Sequence, residues 1–72
     1  MNNVLKRNEM RTLIRAARQG WETPADERRR YVDLVQKVID SPETSPARRA
    51  TAIQTMAAFR SAGWAQQAEQ AV

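Results

Sequence analysis

Seventy-two residues make one small domain, 1–72, and a chain this short buries only about 60% of the surface its unfolded form exposes. It contains neither cysteine nor histidine. That excludes a disulfide framework and thiolate metal ligands, and it removes the commonest general base and pH switch. The net charge is +4 with a pI near 10.7, a balance that favours nucleic acid, an anionic surface or an acidic protein.

The first helix is expected over about 4–19. Met10, Leu13, Ile14 and Ala17 recur at the i, i+3, i+4, i+7 spacing of one buried face. Gly20 can supply the left-handed residue that stops the helix. Thr23-Pro24-Ala25-Asp26 then reads as a start signal, with Thr23 as N-cap and Pro24 at the first helical position. The second helix is expected over about 24–39. Its seam is Tyr31, Leu34, Val35 and Val38, widened by Val32 and Ile39.

Two Ser-Pro steps in Ser41-Pro42-Glu43-Thr44-Ser45-Pro46 break the pattern, because the residue before a proline disfavours helical geometry. Ser45 as N-cap and Pro46 at the first position start a third helix, about 46–62. Its expected seam is Ala50, Ile53, Met56, Ala57 and Phe59. Gly63 ends or kinks it. Trp64 to Val72 reads as a short last helix or a tail, with Trp64 folding back over the core. Trp21, Trp64, Tyr31 and Phe59 are all expected in or at the edge of the core. The resulting fold class is all-α: a small bundle of three main helices, with a short C-terminal helix or a tail, helix-turn-helix-like.

The positive charge is concentrated. Residues 1–21 hold Lys6, Arg7, Arg11, Arg15 and Arg18 against Glu9 alone, whereas the basic and acidic groups of residues 22–72 balance. At 100° per residue the four arginines share a face about 80° wide, beside the apolar seam. Such a row is either a solvated face whose stems cover apolar edges or a set of phosphate contacts. Arg48 and Arg49 occupy the first turn of the third helix, where their charge opposes the dipole. They read as an anion site or as a placement without consequence. Arg28-Arg29-Arg30 points in three directions, and its spacing allows pairs of Arg29 and Arg30 with Asp33, beside an Asp33–Lys37 pair.

No catalytic constellation, metal-ligand set or cofactor motif is readable. No apolar run approaches the roughly 18 residues of a membrane span, and the first residues lack a signal-peptide core. The apolar face of the first helix lacks the Trp and Phe of an interfacial anchor. The expectation is a soluble cytoplasmic protein with no membrane partner.

A basic first helix, Trp21-Glu22-Thr23-Pro24, Arg28 on an apolar helix, the acidic break Asp40 to Pro46 and an alanine-rich helix through Ala50, Met56 and Ala57 follow in order. Over about residues 12–60 this order resembles short helical proteins of phages and prophages, among them the N-terminal regions of small terminase subunits. The resemblance implies a helix-turn-helix-like DNA-binding module, at work in the host cell cytoplasm. Small terminase subunits usually carry a long oligomerisation segment that these residues do not include, so ring assembly is not part of the expectation. The function expected is non-enzymatic DNA binding through Lys6, Arg7, Arg11, Arg15 and Arg18, assisted by Arg48 and Arg49. The rival is a protein–protein module, such as a phage-encoded inhibitor with an acidic host partner. A homo-oligomer is a variant of that rival.

Overall fold

The computed structural model describes residues 5–64. Within them α1 (Arg7–Gln19), α2 (Ala25–Asp40) and α3 (Pro46–Ser61) follow in order, with no strand among the described residues. The bundle is all-α, as its periodicity requires. α3 is the central element and packs along both neighbours, while direct contact between α1 and α2 is slight. The expected helix start at Val4 and the short helix or tail over 65–72 lie outside the described residues.

α1 begins three residues later than its apolar pattern suggests. Leu5 turns into the core instead of continuing the helix. The Glu9 carboxylate accepts a bond from the Lys6 backbone N–H at 3.0 Å, which satisfies an otherwise orphaned donor. Leu5 and Met10 flank this start in the positions of a hydrophobic staple, and both are buried. At the other end Gly20 adopts φ 68°. The Trp21 N–H donates to the Ala16 carbonyl at 2.9 Å and the Gly20 N–H to Ala17 at 3.4 Å. This paired pattern closes the helix with a left-handed glycine and fixes the backbone of Trp21.

The entry to α2 corrects one expectation. The cap is Pro24, not Thr23. The Thr23 hydroxyl turns back and donates to the Trp21 carbonyl at 3.3 Å. A proline has no side-chain acceptor, so the first turn of α2 relies on Asp26 and Glu27 near its positive end. α3 starts as expected, with Ser45 Oγ accepting from the Arg48 N–H at 3.3 Å. Between the two helices Thr44 is buried, and its hydroxyl donates to the Val38 carbonyl at 2.8 Å.

The core is built from Met10, Ala16 and Ala17 of α1, Val35 and Val38 of α2, and Ala52, Met56, Ala58 and Phe59 of α3. Leu13, Ile14, Tyr31, Val32, Leu34 and Ile39 pack against it, partly buried. The α3 seam is rotated from the expected one. Met56 and Phe59 are buried, but Ala50, Ile53 and Ala57 face outward, with Ile53 at 53% exposure. A central helix must bury two faces, and here they span an arc of about 160°. Thr51 and Thr55 complete that arc, both buried. Their hydroxyls donate to the carbonyls of Ala47 and Thr51, four residues back, at 3.1 and 2.7 Å. A threonine satisfied in this way packs as a small branched apolar residue.

The two tryptophans part company. Gly63, at φ 83°, turns the chain after α3, and Trp64 folds back to 3% exposure. Its ring stacks on Phe59 with centroids 4.7 Å apart. Trp21, expected in or at the edge of the core, is 46% exposed. The glycine closure that fixes its backbone sets it on the rim of the bundle, beyond the end of α1.

Candidate nucleic-acid interface

The α1 cations divide by what their side chains do. Lys6 stands exposed immediately before the helix. Arg7 leans across to α3, where its Nε donates to Thr51 Oγ1 at 3.3 Å. Arg11, Arg15 and Arg18 are exposed, and among the described residues none of the three forms a hydrogen bond or an ion pair. They repeat at spacings of four and three along one helix and so stand on one side of it. The only acid on α1, Glu9, is committed to the helix start through the Lys6 N–H. The result is a solvent-facing row of guanidinium groups with little local neutralisation.

Arg48 and Arg49 are placed differently. Arg48 is half-buried, and its Nε and Nη2 both donate to the Leu5 carbonyl, at 3.0 and 2.8 Å. The planar fork thereby ties the entry of α1 to the first turn of α3. Arg49 Nη2 donates to the Ser41 carbonyl at 2.6 Å. Ser41 is the C-cap of α2, so this guanidinium meets the negative end of that helix. The two cations oppose the dipole of their own helix and are held by carbonyls of its neighbours. Sequence spacing did not reveal these tethers. The signal that could have found them was the electrostatically awkward placement itself, which asks for an acceptor from elsewhere in the fold.

Arg28, Arg29 and Arg30 form no single patch. Arg28 lies with its guanidinium carbon 5.7 Å from the centroid of the Trp64 ring, and Arg30 lies 5.5 Å from that of Tyr31. Asp33 pairs with Lys37 at 3.5 Å, both exposed; the expected Arg29–Asp33 and Arg30–Asp33 pairs do not form. Because consecutive residues on a helix diverge, three arginines in a row meet three different surroundings.

At the C-terminal end of the α1 row lies an open cleft of about 520 Å³, with Arg18, Gly20, Trp21, Arg28, Ser61 and Trp64 on its walls. The Trp21 Nε1–H donates to Gln19 Oε1 at 2.9 Å. No helix among the described residues is long and apolar enough to cross a membrane. Among the described residues no group of three acids could hold a metal ion. In comparisons with family profiles, curated proteins and solved structures, nothing matches this chain.

Proposed function

We propose that the protein is a non-enzymatic DNA-binding module that grips phosphates along α1. The observation that carries this reading is the exposed row Arg11, Arg15 and Arg18, which has no internal partner among the described residues. Lys6 and Arg7 extend the row toward the start of the helix. Arg48 and Arg49, expected to assist, come second because their guanidinium groups already serve internal carbonyls. The resemblance to phage helical proteins adds that such a module would belong to a phage or mobile element.

Contact through α1 implies little sequence specificity. Base readout needs donors and acceptors placed in a groove. The second helix of an α2–α3 pair is the one a helix-turn-helix inserts there. In this fold α3 is the central packing helix, and its outward strip is mostly small or apolar, Ala47, Ala50, Ile53 and Ala57, with Gln54, Arg60 and Ser61 as its polar groups.

The test is duplex DNA binding at several salt concentrations, with the unmodified protein and with Arg11→Ala/Arg15→Ala. Affinity is expected to fall steeply with salt. The log–log slope should be shallower in the double variant by roughly 1.8, since each phosphate contact contributes about 0.9. Absence of binding at low salt to both duplex and single-stranded DNA would overturn the proposal. Retention of an acidic protein after nuclease treatment would favour the rival, since that partner would use the same charges.

A further inference from the structure

Trp21 is a large apolar side chain standing 46% exposed at the end of the arginine row. Its backbone is fixed by the bond to Ala16. Its one polar atom is already bonded to Gln19. What the indole still offers is therefore carbon and π surface, held in place before any ligand arrives. The cleft beside it is lined by two indoles, Trp21 and Trp64, and by two guanidinium groups, Arg18 and Arg28. No Asp or Glu is among the described residues that line it. Trp64 forms its buried side, under Arg28. Its volume lies within the range of small-molecule sites.

A flat π-face next to an unneutralised guanidinium selects for a ligand that is both aromatic and anionic. A nucleotide of a single strand has that chemistry: the base stacks and the flanking phosphate meets the arginine. A paired base offers no free face in the interior of a duplex. We infer that Trp21 is a stacking platform for an unpaired nucleobase, with Arg18 taking the adjoining phosphate, so that the protein prefers single-stranded over duplex nucleic acid. This rests on the reading of α1 as the phosphate-binding face and adds the strandedness of the target. An apolar protein segment is the other occupant an exposed tryptophan can take, and the test separates it.

The experiment compares an oligothymidylate strand of about 12 nucleotides with a duplex of equal length. Binding is followed by anisotropy of labelled DNA and by intrinsic tryptophan emission. The unmodified protein should bind the strand more tightly, with quenching of its emission. Trp21→Leu should bind the strand about tenfold more weakly and the duplex less than about twofold more weakly. Trp21→Phe should fall between and lose the quenching, because Trp64 is then the sole indole. The unmodified protein supplies the quenching result even if Trp21→Leu does not fold. Equal weakening on both DNAs, unchanged strand affinity in Trp21→Leu, or no quenching in the unmodified protein would overturn the inference. If the Arg11→Ala/Arg15→Ala salt effect is present while Trp21→Leu has none, stacking alone falls. If neither DNA binds at low salt, both readings fall and a protein occupant gains.

Discussion

Arg11, Arg15 and Arg18 on α1 and Arg48 and Arg49 on α3 are the same residue type in helices of one small bundle, yet they do opposite things. The α1 group stands in solvent and has no partner among the described residues. The α3 pair is half-buried, with Arg48 Nε and Nη2 donating to the Leu5 carbonyl and Arg49 Nη2 to that of Ser41. The difference follows from position. α3 is flanked by both neighbours, so the start of its helix lies within reach of the entry to α1 and the exit from α2, whose carbonyls need donors. The α1 row lies beside the seam but points into solvent, and it has no such acceptor. A guanidinium is a structural clamp where the fold supplies a carbonyl, and a free charge where it does not.

The sharpest way to break this contrast is Arg48→Ala. The change removes two donors from the Leu5 carbonyl and frees the entry of α1. Hydrogen bonds from charged groups contribute about 1.5–3 kcal/mol, so unfolding in urea should show a loss of about 2 kcal/mol. For a domain expected to have only roughly 4–10 kcal/mol in total, that is a large share. A loss below about 0.5 kcal/mol would place Arg48 among ordinary surface residues.

Arg48→Lys separates the clamp from the charge. Lysine keeps the positive charge but not the planar fork that meets one carbonyl with two donors. Stability should fall by about 1 kcal/mol, roughly one ordinary hydrogen bond, while the salt dependence of DNA binding stays as it was. If stability is unchanged and DNA affinity falls, Arg48 belongs with the α1 group and the contrast collapses.

The framing of the α3 clamp can be tested at the two caps. Ser45 Oγ accepts from the N–H of Arg48 itself, so Ser45→Ala should cost about 1 kcal/mol. Thr23→Ala should cost about 0.5 kcal/mol, the low end for a neutral hydrogen bond, because its hydroxyl faces the Trp21 carbonyl and caps nothing. Thermal unfolding of the two variants, measured side by side, decides the order.

The caps also show where sequence reading succeeded and where it stopped. Ser45-Pro46 and Gly20 act through local backbone geometry, and both did what their residue types dictate. Thr23-Pro24 carries the same local signal. It failed because the chain there is still turning out of the α1 closure, which places the Trp21 carbonyl within reach of the hydroxyl. The α3 seam failed for a longer-range reason. Periodicity finds one apolar face, but a central helix has two, and the second is lined by Thr51 and Thr55, whose polarity is cancelled by carbonyls four residues back. Trp21 failed in the reverse sense. Its hydropathy argued for burial, and the closure of α1 holds it on the rim. The α1 row itself was legible because an amphipathic helix separates its faces by spacing alone. The tethers of Arg48 and Arg49 were not, because they depend on carbonyls 43 and 8 residues away in sequence.

The smallest effect on stability is expected at the α1 row, and its sign is informative. Arg7, Arg11 and Arg15 are successive i, i+4 neighbours, and each like-charged pair at that spacing destabilises a helix by a few tenths of a kcal/mol. Alanine relieves that repulsion and has the higher helix propensity. Arg11→Ala/Arg15→Ala should therefore leave stability within about 0.5 kcal/mol, on the stabilising side. Salt gives the matching control. Screening shortens the reach of the repulsion from about 10 Å at 0.1 M to about 3 Å at 1 M. The melting temperature of the unmodified protein should rise with added salt, and that of the double variant should rise less. A clear loss of stability in the variant would mean that Arg11 and Arg15 support the fold as Arg48 does. A row whose charges repel one another and bond to nothing within the described fold is what the proposed phosphate contact along α1 would neutralise.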